Sequence, residues 1–237
     1  MAQYWTDFSS DEVDSFPSGF THRINTTNVS SVVVEHSLKR WYRFASTSNS
    51  HKQSSFDEVD TNATVKSRIK FRIESTSGVD PDQHLFSLRV PSDGSGGYGV
   101  ALRNANPSLL KIFRYTNTST GRTQLGSATG INQFMPTQTD ITLEFQADVS
   151  TIRARVDGGD GFSEWLTVTD STWGNGGWAG PRLLLSGQII DYESIAIGTN
   201  GDEPPTGPVE TGLAIPTLIA PANAATGVIL RPEFTWS

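Results

Sequence analysis

A chain of 237 residues with no cysteine and a formal charge of −7 holds neither a disulfide framework nor a thiolate metal site, and a domain of this length needs no such staples. The acidic balance argues against a nucleic-acid partner, because phosphate binding calls for an excess of Lys and Arg on one face. No run of about 18 apolar residues occurs, and Met1-Ala2-Gln3-Tyr4-Trp5 has neither a basic start nor an apolar run, so neither membrane insertion nor a Sec-type signal is expected.

Apolar residues come in short bursts broken by Gly, Ser, Thr, Asn and Asp, the texture of strands joined by turns. The polar run 46–55 with Phe56-Asp57-Glu58 reads as a long loop. From Thr64 to Ile73, Val65, Ile69, Phe71 and Ile73 alternate with Lys66, Arg68, Lys70 and Arg72, predicting a half-buried strand. Phe86, Leu88 and Val90 repeat the theme, and a glycine-rich turn over 92–97 separates them from Tyr98, Val100 and Leu102, predicting a hairpin.

Strands follow at 109–115, 140–147 and 151–156, with Ile141, Leu143, Phe145, Ile152, Ala154 and Val156 inward. Three more are expected at 163–168, 182–186 and 192–197. No segment holds a helical period over ten residues, so the predicted class is all-β, a two-sheet antiparallel sandwich. The Pro- and Gly-rich stretch 200–215 reads as a linker that ends the domain spanning 1–199.

Several segments together resemble concanavalin-like lectin and laminin-G-like domains of bacterial secreted proteins and phage structural proteins. They are Trp5-Thr6-Asp7-Phe8 with Pro17-Ser18-Gly19-Phe20, the hairpin Leu143 to Val156, Trp165 to Asp170 with Gly176-Gly177-Trp178-Ala179-Gly180, and the closing Asp191 to Gly198. The likeness covers residues 3–199 and implies a jelly-roll sandwich. Residues 216–237 resemble the first strands of a fibronectin type III or immunoglobulin-like repeat. About 22 residues do not bury a core alone, so Leu218, Ile219, Val228, Leu230, Phe234 and Trp236 are candidate assembly residues. They are covered either by further sequence or by another chain.

Glucanases of the resembled fold carry Glu-x-Asp-x-x-Glu on one strand, since retaining hydrolysis needs two carboxyl groups about 5 Å apart. Here Glu58-Val59-Asp60 is followed by Ala63 and Glu12-Val13-Asp14 by Pro17 where the last Glu should stand, so no catalytic residue is assigned. The four histidines are scattered without metal-ligand spacing. The resemblance implies a structural calcium near the terminal strands, with Asp7 and Asp191 as candidates against a reading as ordinary strand-end carboxylates.

The segment Asp170 to Trp178 is the most site-like, because two Trp in a glycine-rich loop offer flat faces beside an amide. Trp173, Asn175, Trp178 and Tyr98 are therefore the candidate carbohydrate-binding residues; the competing reading has the Trp rings capping the core. Basic side chains on the non-core faces, among them Arg89, Arg103, Arg153 and Arg155, are read as paired with Glu144 or Glu74, with anionic polysaccharide as the alternative.

The expectation is a non-catalytic module of a phage particle, made in the host cytoplasm and contacting other virion proteins, copies of itself or cell-surface polysaccharide. The alternatives are a bacterial carbohydrate-binding module and a divergent glucanase.

Overall fold

The computed structural model describes residues 3–24, 29–49, 52–56, 64–76, 82–94, 96–103, 108–116, 121–128, 136–174 and 177–207. Among them are fifteen strands and no helix: β1 (Gln3–Thr6), β2 (Phe20–Ile24), β3 (Val29–His36), β4 (Lys39–Ser46), β5 (Lys52–Phe56), β6 (Thr64–Ser75), β7 (Asp82–Val90), β8 (Gly97–Arg103), β9 (Leu109–Tyr115), β10 (Arg122–Ala128), β11 (Asp140–Asp148), β12 (Thr151–Asp157), β13 (Leu166–Thr169), β14 (Trp178–Leu183) and β15 (Ile189–Thr199).

They form two antiparallel sheets. One runs β13-β12-β11-β6-β15-β4-β3, with β1 also paired to β15; the other runs β10-β9-β8-β7-β14-β5-β2. The predicted all-β sandwich is the observed architecture.

Period-two alternation builds the first sheet. Ile69 pairs with Leu143 on one side and Ile195 on the other, and all three are buried between the sheets. One residue along, Arg68 faces Glu144 across the ladder, and Glu144 also takes a hydrogen bond from Arg155 of β12 at 2.7 Å. Arg72 pairs likewise with Asp140. Arg68 and Arg72 of β6 thus meet cross-strand carboxylates, Glu144 among them as read from the sequence, while Lys66 pairs with Glu203 beyond β15.

Two expectations are corrected, and the start of the stretch read as a linker has partners. The stretch read as a loop over 46–55 contains β5, buried along its whole length and paired to both β2 and β14. Polarity misled there, because Lys52 donates to the backbone and hydroxyl of Ser48, satisfying its ammonium inside the protein. Arg89 was placed on a non-core face but is buried, with φ at 52°. That conformation turns its guanidinium onto the carbonyls of Ala147, Val149 and Trp173, so it ties β7 to the β11–β12 turn of the opposite sheet. The start of the predicted linker is docked: Asn200 donates to the Thr64 carbonyl, and Glu203 accepts hydrogen bonds from Gln3 and Lys66. The candidate assembly residues Leu218, Ile219, Val228, Leu230, Phe234 and Trp236 lie outside the described residues.

Candidate functional site

The outward face of the seven-stranded sheet carries a second, separate set of buried side chains. In β8, Tyr98, Val100 and Leu102 enter the main core, while Ala101 packs with Phe113 and Tyr115 of β9 on the opposite side of the sheet. Glycine makes room for this layer. The Tyr115 ring lies across Gly99, where a β-carbon would collide with it.

A chain of contacts crosses this face. Gln53 of β5 is the cross-strand neighbour of Arg182 on β14. The Arg182 guanidinium sits 4.0 Å from the centre of the Tyr115 ring, and the Tyr115 hydroxyl lies 2.8 Å from Nδ1 of His84 on β7. Beyond it, Lys111 and Arg103 hold the two oxygens of Asp82 at 2.7 and 2.9 Å, and Arg122 stands 5.7 Å over Phe113. At the other end Arg23 lies 4.7 Å over the half-buried ring of Trp178.

The electrostatics follow from burial among cations. Burial holds the His84 imidazolium well below the ordinary histidine range, and Arg122, Arg182 and Lys111 add to the shift, so His84 is neutral near pH 7. Burial lowers Arg182 to about 10 and raises the Tyr115 phenol to about 12.

Among the described residues, both amide atoms of Gln53 and Nε2 of His84 have no hydrogen-bond partner. Leaving a buried polar atom unsatisfied costs about 1–3 kcal/mol, so such atoms call for a partner such as an ordered water.

The carbohydrate candidates named from sequence are dispersed by the fold. Trp178 lies on this face, in β14. Tyr98 does not: it is buried from the opposite side, and its hydroxyl donates to Asp170 and accepts from the Trp173 backbone N–H. Tyr115 of β9 is a tyrosine that does lie on this face. Strand parity distinguishes them: Tyr98 alternates with Val100 and Leu102 into the main core, whereas Tyr115 and Phe113 are out of step with Leu110 and Ile112.

Trp173 lies flat against Gly96 and donates its indole N–H to the Tyr115 carbonyl at 3.1 Å, with its ring packed against the main core. Its loop is stapled by Asp170, which accepts from Arg114 at 2.7 Å and from Tyr98 and Thr172. Burial opposes ionisation of Asp170, but these donors hold its carboxyl below the usual range. Asn175 lies outside the described residues.

The calcium candidates are not brought into one site. Asp7 caps the Ser9 N–H and lines a surface cleft of about 400 Å³ with Glu35, Lys39, Arg40 and Glu193. Asp191 is fully buried. His36, Glu74 and Asp191 bring ligand atoms within 4.8 Å of one another, but Arg43 holds both oxygens of Asp191 at 2.8 and 2.7 Å. A guanidinium in that place neutralises the carboxylate, so these residues do not fit a calcium ion. Glu12 and Asp14 are exposed on a turn; Glu58 and Asp60 lie outside the described residues.

No protein-family model matches the chain, and a comparison with curated proteins finds no match. Solved structures do match. The VIP36 exoplasmic/lumenal domain in its Ca2+/Man-bound form superposes with a TM-score of 0.57 at 12% identity, over 85% of this chain and 91% of that one. The fold is a concanavalin-like sandwich. A xylan beta-1,4-xylosidase from Bacillus halodurans C-125 matches with a TM-score of 0.57 at 12% identity, over 81% of this chain and 38% of the xylosidase. The GH43 protein BlXynB from Bacillus licheniformis matches with a TM-score of 0.53 at 10% identity, over 81% and 38%. This chain thus spans about two fifths of these two longer proteins.

Proposed function

We propose that the chain is a non-catalytic glycan-binding module whose site is the outward face of the seven-stranded sheet. The observation that carries the reading is the floor itself. The Gln53 amide and His84 Nε2 are buried with no hydrogen-bond partner among the described residues, beside the rings of Tyr115 and Phe113, with Trp178 half-buried at one end. Sugars are bound by that mixture, with rings against C–H faces and side-chain amides and imidazoles on hydroxyls. The sandwich of VIP36 was solved with mannose, which supports the fold as a host for sugar.

Binding is favoured over hydrolysis because the strands of this sheet contain one carboxylate, Asp82, and its oxygens are held by Arg103 and Lys111. Glycoside hydrolysis by the usual route needs two carboxyl groups flanking the bond.

A glycan array probed with the whole chain, followed by calorimetry on the ligands captured, tests the reading. Trp178→Ala should weaken binding roughly fivefold to tenfold through lost stacking. A wild-type protein that captures no glycan would overturn the reading, and a Trp178→Ala variant that binds unchanged would move the site off this face. Turnover of β-glucan or xylan by the pure protein would overturn the non-catalytic assignment.

The particle setting rests on the resemblance to phage structural domains and on the apolar residues of 216–237. There the module would contact other virion proteins or copies of itself through that segment. Mass spectrometry of purified particles checks it, and finding the chain in a secreted bacterial protein would favour a carbohydrate-binding module instead.

A further inference from the structure

β15 changes neighbours in mid-strand. Along one side it pairs with β4 as far as Tyr192 and with β1 only from Ile195 onward. Glu193 and Ser194 thus face a gap between those two strands, and on the other side Glu193 is the bulged residue between the pairs Tyr192–Phe71 and Ser194–Lys70. Beside this gap the outward face of the eight-stranded sheet holds a cleft of about 350 Å³, which Trp5, Lys70, Glu193 and Ala196 help to line.

Period-two alternation builds the cleft. Ile195 and Ile197 are buried in the core, so Ser194 and Ala196 point outward, and Ala196 lies between its two Cα partners, Trp5 of β1 and Arg68 of β6. Two small side chains therefore floor a trough with an indole on one wall and the basic side chains of β6 on the other. The chain beyond β15 closes one end. It passes over Gly198, where a β-carbon would strike the backbone of Asp202 and Glu203, and reaches the cleft at Pro205.

The indole is set apart from the others. Arg72 stands over Trp41, Arg153 and Arg155 over Trp165, and Arg23 over Trp178, while Trp173 donates its indole N–H to the Tyr115 carbonyl. Among the described tryptophans Trp5 alone has neither a cation against its ring nor any such bond from its N–H, and it stands half-buried in the cleft wall.

The charges around the trough are matched. Glu193 is held by Lys39 at 2.6 Å and Arg68 by Glu144 at 2.6 Å. Among the described residues that leaves Asp7, whose carboxylate accepts the Ser9 N–H, and Lys70, which is exposed and has no side-chain partner. One carboxylate and one ammonium give no net attraction for an anion or a cation, whereas a hydroxyl can donate to the first and accept from the second. We propose that this cleft is a second binding site, for a neutral sugar whose C–H face lies on Trp5 and whose hydroxyls meet Asp7 and Lys70. It does not rest on the site of the seven-stranded sheet, which lies on the opposite side of the sandwich.

The test follows the indole N–H resonances of the whole chain by NMR while glucose, galactose, mannose or xylose is added. The Trp5 and Trp178 signals are assigned by their loss in Trp5→Phe and Trp178→Ala. At least one sugar should move the Trp5 signal saturably, and equally so in Trp178→Ala. Lys70→Met should weaken that binding about threefold or more. Ala196→Leu, which fills the trough from outside the core, should abolish it with the other indole signals in place. No saturable shift of Trp5 by any of these sugars would overturn the proposal, as would unchanged binding by Ala196→Leu. A tighter response to galacturonate, choline or alanine would overturn the neutral class. A shift confined to Trp178 would sink this site and leave the reading of the seven-stranded face standing; a shift confined to Trp5 would do the reverse.

Discussion

Arg43 and Asp191 are Cα partners in the β4–β15 ladder, and register brings the guanidinium onto both oxygens of the carboxylate at 2.8 and 2.7 Å. The partners are unequal. The Asp191 side chain is fully buried, whereas that of Arg43 is 31% exposed. Removing the cation strands a carboxylate inside the protein; removing the carboxylate leaves an arginine that can turn toward water. Arg43→Met should therefore destabilise more than Asp191→Asn, the former by about 3 kcal/mol or more. Urea denaturation of the two variants decides it, and the reverse order would mean that His36, 2.8 Å from Asp191, carries the compensation.

Acid should weaken the fold through His84. Burial and the nearby Arg122, Arg182 and Lys111 keep its folded pKa well below 6.5, while the unfolded chain takes up a proton near pH 6.5. The unfolded state then binds more protons, so this contribution is complete above about pH 6.5 and is lost as pH falls below it. His22, also lowered by burial, adds a loss of the same sign. Urea midpoints at pH 7.5, 6.5 and 5.5 should fall more steeply for the wild type than for His84→Gln. Parallel slopes would place a charged His84 in the folded protein.

Two glycines on the same sheet should respond differently to a methyl group. At Gly180 it would strike the backbone of Ser54 and Ser55, and at Gly99 the ring of Tyr115. Side chains give way more readily than paired backbone. Gly180→Ala should cost about 3 kcal/mol or more and Gly99→Ala about 1–3 kcal/mol. Thermal unfolding ranks them, and equal losses would show the Tyr115 ring to be as fixed as the β5 backbone.

Phe145 is fully buried in the main core between Ile141 and Ala147. Phe145→Ala should cost about 3–5 kcal/mol by opening a cavity. Chemical denaturation reads it, and a loss below about 1 kcal/mol would contradict its burial.

The sandwich was legible wherever one face of a strand is apolar and the other charged, as in Val65 to Ile73 and Leu143 to Val156. It was obscure where both faces are buried. Neither β3 nor β4 is marked by clean alternation, because Trp41 is buried on the outer face beneath Arg72, 5.1 Å from its ring, and beside His36. The polar β5 was hidden because Gln53 belongs to a buried polar layer that no apolar pattern announces. For the same reason the candidate face was mostly missed. Trp178 was found as an aromatic near glycines, but Gln53, His84, Tyr115 and Arg182 are far apart in sequence and meet only through the order β9-β8-β7-β14-β5. Bulges between His84 and Phe86 and between Trp178 and Gly180 reset the parity that would have assigned their faces.

The position of β15 sets how the protein comes into being. Along one side it pairs with β6; along the other its first half pairs with β4 and its second half with β1. Until residues 189–199 have left the ribosome, three earlier strands each lack a neighbour, and the ladders that close the sheet join residues far apart in the chain. Such non-local closure is slow, and the waiting edges are templates for pairing with other chains. A nascent chain stalled short of residue 189 is therefore an aggregation hazard, and the yield of folded protein in a cell depends on how soon that strand is delivered.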